Sequence, residues 1–193
     1  MSKGNFGESW RLVLAEVEAA LAQVRAEEVA ALEAAILTAG AGDQGPGAGG
    51  EEAGAIFVAG EGRSGLVARA FAMRLRHLGR RSYVAGETVT PAAGAGDVLL
   101  AVSGSGETRV TRARAEAARE AGVRVVVLTG VRGSSLARLA DLCVTIPTGE
   151  SAQYRGSLFE QSALVFFDAL VGRLQKKLGL SGEAMGERHA TLE

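Results

Sequence analysis

A chain of 193 residues, 47 % of them hydrophobic, can close one full hydrophobic core, and a formal net charge of −1 argues against a nucleic-acid partner, which would call for a basic face. Cys143 is the single cysteine, which excludes an intramolecular disulfide and fits a reducing cytoplasm. Residues 1–8 carry no charged-then-apolar leader, and no apolar run reaches bilayer-spanning length, so the expectation is a cytoplasmic protein with no membrane partner.

In chain order, Trp10, Val13, Leu14, Val17, Leu21 and Val24 recur at helical spacing, and Val29, Leu32, Ile36 and Leu37 mark a second amphipathic helix. Glu27 and Glu28 fall where that helix starts, which suits its dipole. Both helices precede any strand and are expected to pack on the sheet or on another subunit. Residues 39–50 (AGAGDQGPGAGG) are glycine-rich but follow no strand, so they read as a flexible connector rather than a phosphate loop.

Residues 55–59 (AIFVA) predict the first strand, and Gly60-Glu61-Gly62-Arg63-Ser64-Gly65 then turns into a helix ended by Gly79. A short second strand is expected over residues 81–85, followed by Gly86-Glu87-Thr88-Val89-Thr90-Pro91. The third strand, residues 98–102, runs into Ser103-Gly104-Ser105-Gly106-Glu107-Thr108 and a helix over about 108–121. A fourth strand over 123–128, a short helix from Ser134 and a fifth strand over 142–146 follow. A loop over 147–156 leads to a long helix over 158–178, and Ser181 caps a last short helix toward His189. The chain thus reads as one domain: N-terminal helices over 1–40, a connector over 41–54, an α/β core over 55–178 and a tail over 179–193.

Strands alternating with helices predict an α/β fold, a five-stranded parallel sheet flanked by helices on both faces. Ligands of such sheets bind beyond the carboxyl ends of the strands, where the strand order reverses. Both glycine turns lie at carboxyl ends and can face one crevice. In the Ser103–Thr108 turn, backbone N–H groups converge, the following helix presents its positive end, and three hydroxyls (Ser103, Ser105, Thr108) can donate to oxygen. Helix capping alone needs fewer hydroxyls, so a phosphate is the favoured occupant. Gly60-x-Gly62-x-x-Gly65 formally matches a dinucleotide fingerprint, with Glu87 as its ribose-binding acid, but Arg63 and Ser64 suit a compact anion better.

Glu160 is a candidate general base, although Ser157-x-x-Glu160 also fits a helix capping box. His77, among arginines near a helix end, reads as a solvated surface residue, and Cys143, between apolar neighbours, as core. No His, Cys and carboxylate cluster has metal-ligand spacing and no Gly-x-x-x-x-Gly-Lys loop is present, so neither a metal nor another cofactor is expected.

Gly62-Arg63-Ser64-Gly65-Leu66-Val67-Ala68, Phe71-Ala72-Met73-Arg74-Leu75, Gly86-Glu87-Thr88, the Ser103–Thr108 turn, Leu158-Phe159-Glu160 and Arg188-His189-Ala190 occur in this order. Together they resemble the 6-phospho-3-hexuloisomerase family of the sugar isomerase (SIS) superfamily, over nearly the whole chain. The resemblance implies a SIS-type, flavodoxin-like three-layer sandwich and the interconversion of D-arabino-hex-3-ulose 6-phosphate with fructose 6-phosphate. It also implies no metal requirement and a homotetramer, or a dimer, with active sites near subunit contacts.

Carried over by motif, Glu160 becomes the base and His189 the group that shuttles protons or stabilises the developing oxyanion, and its place in the tail would let it complete a neighbour's site. Ser64, Ser103, Ser105 and Thr108 would hold the phosphate, Gly62, Arg63 and Gly104 would shape the pocket, and Glu87 would join the substrate-binding set. Two departures stand out: Glu61 occupies a position where the family usually has a small residue, and the 39–50 connector is longer and richer in glycine than expected. A non-catalytic sugar-phosphate sensor and an isomerase of another phosphosugar are the rival readings; the first leaves Glu160 and His189 unexplained, and the terminal Arg188-His189 argues against the second.

Overall fold

The computed structural model describes residues 5–39 and 54–191, so the predicted connector lies almost wholly outside the described residues. Five strands pair in parallel, β1 (Ile56–Ala59), β2 (Ser82–Val84), β3 (Val98–Ser103), β4 (Arg124–Thr129) and β5 (Leu142–Thr145), in the order β2-β1-β3-β4-β5. Their near-continuous apolar runs have a simple cause: both faces of a parallel sheet are covered, so successive side chains bury alternately on opposite sides. Ile56, Val58, Leu100, Val102, Val126 and Leu128 belong to one core cluster, and Phe57, Leu99, Ala101, Val125 and Val127 to the other.

The first cluster is covered by α1 (Phe6–Leu21), α2 (Ala26–Thr38), α3 (Gly62–His77) and α5 (Ser157–Lys177), with Phe71 of α3 stacked on Phe167 of α5 at 4.1 Å between ring centroids. On the opposite face lie α4 (Arg109–Glu120) and a 3₁₀ turn (Ala137–Leu139), which contribute Ala115 and Leu139. The short helix expected from Ser134 shrinks to that turn, because few residues remain before β5 begins at Leu142.

α1 starts with a capping box: Asn5 Oδ1 accepts from the Glu8 N–H at 3.0 Å, and the Glu8 carboxylate accepts from the Asn5 N–H at 3.1 Å. It packs on α5, yet Phe6, Trp10 and Leu14 remain exposed, so part of its apolar stripe does not meet this chain's own core. α2 carries two buried acids. Glu28 accepts from the Thr145 N–H at 2.9 Å, which satisfies a backbone donor of the edge strand β5. Glu33 takes up Arg173 and Lys177 from α5. Two sequence expectations change: His77 is buried at 5 % exposure instead of solvated, and Cys143 is only half-buried beside the second cluster.

Candidate active site

The strand order reverses between β1 and β3, and the register pairing Ala59 with Ala101 brings the turns that leave these strands side by side. After β3, the Ser103–Thr108 turn is closed by bonds among its own hydroxyl and N–H groups. The Ser103 hydroxyl accepts from the Gly106 N–H at 3.1 Å and shares a proton with the Thr108 hydroxyl at 3.0 Å. Thr108 stands at the N-cap of α4 without capping it by its side chain, so its hydroxyl serves the turn. Ser105 Oγ accepts from the Glu107 N–H at 3.2 Å.

Neighbouring loops fix this turn in place. Gly106 has φ +67°, and a Cβ there would lie 2.3 Å from Ser134 Cβ, so only glycine lets the turn sit against the loop after β4. The Glu107 carboxylate accepts from the Ser135 N–H at 2.7 Å, a bond that holds its pKa below the ordinary carboxylate range. On the other side, a Cβ on Gly104 would press on the Phe159 ring at 3.0 Å, so the absence of a side chain lets the α5 N-terminus approach the cradle.

That approach delivers Glu160. Gly156, with φ +79°, is the N-cap of α5, and Ser157 makes no capping bond, so the capping box is not formed. Instead Ser157 Oγ accepts from Arg63 Nη1 at 3.1 Å, while Arg63 Nε lies 2.9 Å from Glu160 Oε2. The second contact is an ion pair without hydrogen-bond alignment, and Oε2 is otherwise buried with no partner. Arg63 and Ser64 occupy the first turn of α3, where Gly62 opens the helix and Ser64 is buried.

Glu61 pairs with Arg114 of α4 rather than with Arg63, which takes its charge away from Glu160's partner. Glu87 pairs with Arg69 and follows β2, so β1 separates it from the Ser103–Thr108 turn. Between these two pairs lies a polar cleft of about 230 Å³ lined by Glu61, Gly62, Arg69 and Arg114. A roomier groove of about 370 Å³ runs along α4 past Phe57, Leu99 and Val123, but it is apolar and holds neither the hydroxyl cradle nor Glu160.

His189 is brought elsewhere. Its ring stacks on His77 at 4.9 Å, and Arg188 donates to the carbonyls of Ala184 and His77. His77 ends the 16-residue α3 that Gly62 begins, so His189 lies roughly 22 Å from its own chain's first turn. Sequence reasoning missed the Arg63–Ser157 link and the Arg114–Glu61 pair, since neither spacing is local. Among the described residues, no group of three or more His, Cys, Asp or Glu side chains is arranged to hold a metal ion, and no helix is long and apolar enough to cross a membrane.

Comparison with known proteins returns the same architecture. A 3-hexulose-6-phosphate isomerase of Mycobacterium gastri is 42 % identical over 190 residues, covering 94 % of this chain and 88 % of that one. The protein of that name from Bacillus subtilis is 42 % identical over 147 residues, 72 % of this chain and 80 % of its own. A solved protein of Methanococcus jannaschii, whose structure is described as inferring the function of 3-hexulose-6-phosphate isomerase, superposes with a TM-score of 0.82 at 29 % identity, covering 96 % of this chain and 99 % of that one. The SIS domain model matches residues 51–171, which span every strand of the sheet, the serine-rich turn at the strand-order reversal and Glu160, and the chain belongs to the SIS domain family.

Proposed function

We propose that the protein interconverts D-arabino-hex-3-ulose 6-phosphate and D-fructose 6-phosphate through a 2,3-enediol, as a step of the ribulose monophosphate pathway. The observation that carries this reading is a largely buried carboxylate, Glu160, in the first turn of α5, next to the Phe159 ring that packs on Gly104 of the hydroxyl-rich turn after β3. The relatives named 3-hexulose-6-phosphate isomerase support it. Ser64, Ser103, Ser105 and Thr108 bind the phosphate, and Gly62, Arg63 and Gly104 shape the pocket around the sugar, with Glu87 at its β2 side.

Glu160 removes the C2 proton and returns it to C3. Gripping the phosphate away from the reacting carbons supplies orientation, a large part of the rate. O6 is esterified and cannot close a five-membered ring with the C3 carbonyl, so the hex-3-ulose phosphate arrives open-chain and needs no ring-opening acid in that direction. His189 shuttles the hydroxyl proton between O2 and O3 in the crevice of a neighbouring copy, because its own crevice lies a helix length away. This requires a homotetramer, or at least a dimer, and the exposed Trp10 and Leu14 of α1 and Leu164 and Val165 of α5 offer apolar surface for it. A cytoplasmic location follows from the metabolic role and the single half-buried cysteine.

Incubation with fructose 6-phosphate and a trap for hex-3-ulose 6-phosphate tests the reading. Trapped 3-ulose is the expected product, and an aldose phosphate or no turnover at all would replace this function with one of the rivals. In the same assay Glu160→Gln is expected to lose roughly 10²–10⁴-fold in turnover while keeping its affinity for fructose 6-phosphate.

A further inference from the structure

We propose that Arg63 is the electrophile of the isomerisation, donating hydrogen bonds from its guanidinium to the O2 and O3 oxygens of the enediolate. The inference rests on the reaction proposed above. It deepens that reading by giving a catalytic task to a residue so far credited only with shaping the pocket.

Three observations carry it. Arg63 is anchored at its inner edge and open at its outer one: it touches Ser157 and Glu160 on the first turn of α5, while its own side chain is 55 % exposed. A guanidinium has five N–H groups and these contacts occupy at most two, so donors remain for a ligand in the crevice. Second, Arg114 is paired with Glu61, Arg69 with Glu87 and Arg132 with Glu28, whereas Arg63 is paired with the candidate base. Third, the Arg63–Glu160 contact is close but not aligned as a hydrogen bond, and Oε2 has no other partner. A half-exposed ion pair of that kind adds little to stability. The arrangement makes sense as a cation parked beside a base whose charge is about to leave.

The electron flow says where that charge goes. Glu160 takes the C2 proton, the C2–H bonding pair becomes the C2=C3 double bond, and the carbonyl π pair moves onto O3. One negative charge has then passed from the carboxylate to the substrate, while the carboxylate is left neutral. A guanidinium beside Glu160 pairs with the charge before the transfer and lies close to it afterwards. Its planar fork suits two vicinal oxygens as it suits the two of a carboxylate, and it stays protonated across the working pH range. The O2 hydroxyl proton then passes to O3, Glu160 returns its proton to C3, and the electrons on O2 re-form a carbonyl at C2. No oxidant, metal or co-reactant enters the balance. Stabilisation that grows as charge develops raises kcat rather than affinity.

The test compares the parent with Arg63→Gln, Arg63→Lys and Arg63→Ala in the fructose 6-phosphate assay. Arg63→Gln is expected to lose about 10²–10³-fold in kcat with KM changed less than about threefold, and Arg63→Lys to fall between it and the parent. Added methylguanidinium should restore at least about tenfold of the lost rate to Arg63→Ala and nothing to Glu160→Gln. The loss should persist from about pH 6.5 to about pH 9, since a cation that merely kept Glu160 ionised could be replaced by raising the pH. A parent that forms no hex-3-ulose 6-phosphate would sink the assigned reaction and Arg63 with it. An active parent with Arg63→Gln within about threefold in kcat, a loss confined to KM, or full recovery at high pH would overturn the role of Arg63 and leave the reaction standing. Thermal unfolding of each variant within a few degrees of the parent, expected for a half-exposed side chain, assigns the loss to chemistry.

Discussion

Replacing Gly106 by alanine probes whether the Ser103–Thr108 turn depends on its fit against the loop after β4. Two costs can be read from the geometry. A left-handed φ of +67° costs alanine about 1–2 kcal/mol. The new Cβ would also lie 2.0 Å from Ser134 Oγ and 2.3 Å from Ser134 Cβ. The hydroxyl can rotate away, but the Cβ is fixed to the backbone, so the turn and the loop must move apart. Overpacking of this kind costs about 1–3 kcal/mol. The sum, about 2–5 kcal/mol, corresponds to a fall of roughly 5–15 °C in Tm for a chain of this size. The same displacement strains the Leu136 N–H to Gly106 carbonyl bond of 3.0 Å and pulls the Gly106 N–H from Ser103, so inorganic phosphate should bind at least about tenfold more weakly. Differential scanning calorimetry and phosphate titration calorimetry measure both quantities. Gly172→Ala is the control: nothing lies within 4 Å of its added Cβ inside α5, and it should gain about 0.5–1 kcal/mol. A Gly106→Ala protein with unchanged Tm and phosphate affinity would refute the argument.

Two further outcomes follow from other parts of the structure. Ser103→Ala removes the hydroxyl shared with Thr108, and Thr108→Ala removes its partner; each should weaken phosphate binding by about 10–100-fold while costing no more than about 1 kcal/mol of stability, checked by titration calorimetry and urea unfolding. The hydrogen bond from Arg173, with help from Lys177 and against the effect of burial, holds the Glu33 carboxyl below its ordinary pKa. A depressed folded-state value means the stabilisation is complete above the unfolded pKa of about 4.3 and is lost as pH falls through the folded value. Glu33→Gln should therefore be less stable than the parent by about 1–2 kcal/mol near neutrality, with the gap closing below about pH 4; a gap that persisted undiminished to about pH 3 would show that Glu33 contributes through packing alone.

Much of the architecture was legible before any coordinates, because alternation of apolar strands with amphipathic helices leaves few ways to bury both faces of a sheet. The five strands fall within about a residue or two of their expected ends, and Ser181 does cap the last helix, accepting from the Ala184 N–H at 3.1 Å. Capping at Ser181 is local and survives the fold unchanged. At Ser157 the same local rule failed: a positive-φ glycine supplied the N-cap, and an arginine 94 residues earlier took the serine hydroxyl. His77 is buried for a similar reason. Its neighbours in sequence are arginines, but its neighbour in space is the tail that brings His189 onto it.

The chain's order of residues by itself determined the parallel α/β class, the two glycine turns at strand ends and the hydroxyls that suit a phosphate, since each depends on period, turn chemistry or spacing within a few residues. Tertiary structure alone decided which long-range partners meet. It joined Arg63 to Glu160, turned Glu61 toward Arg114, and carried His189 a helix length from its own crevice. Ion pairs and ring contacts are made between surfaces that only packing brings together, and the linear spacing of their members carries no record of the meeting.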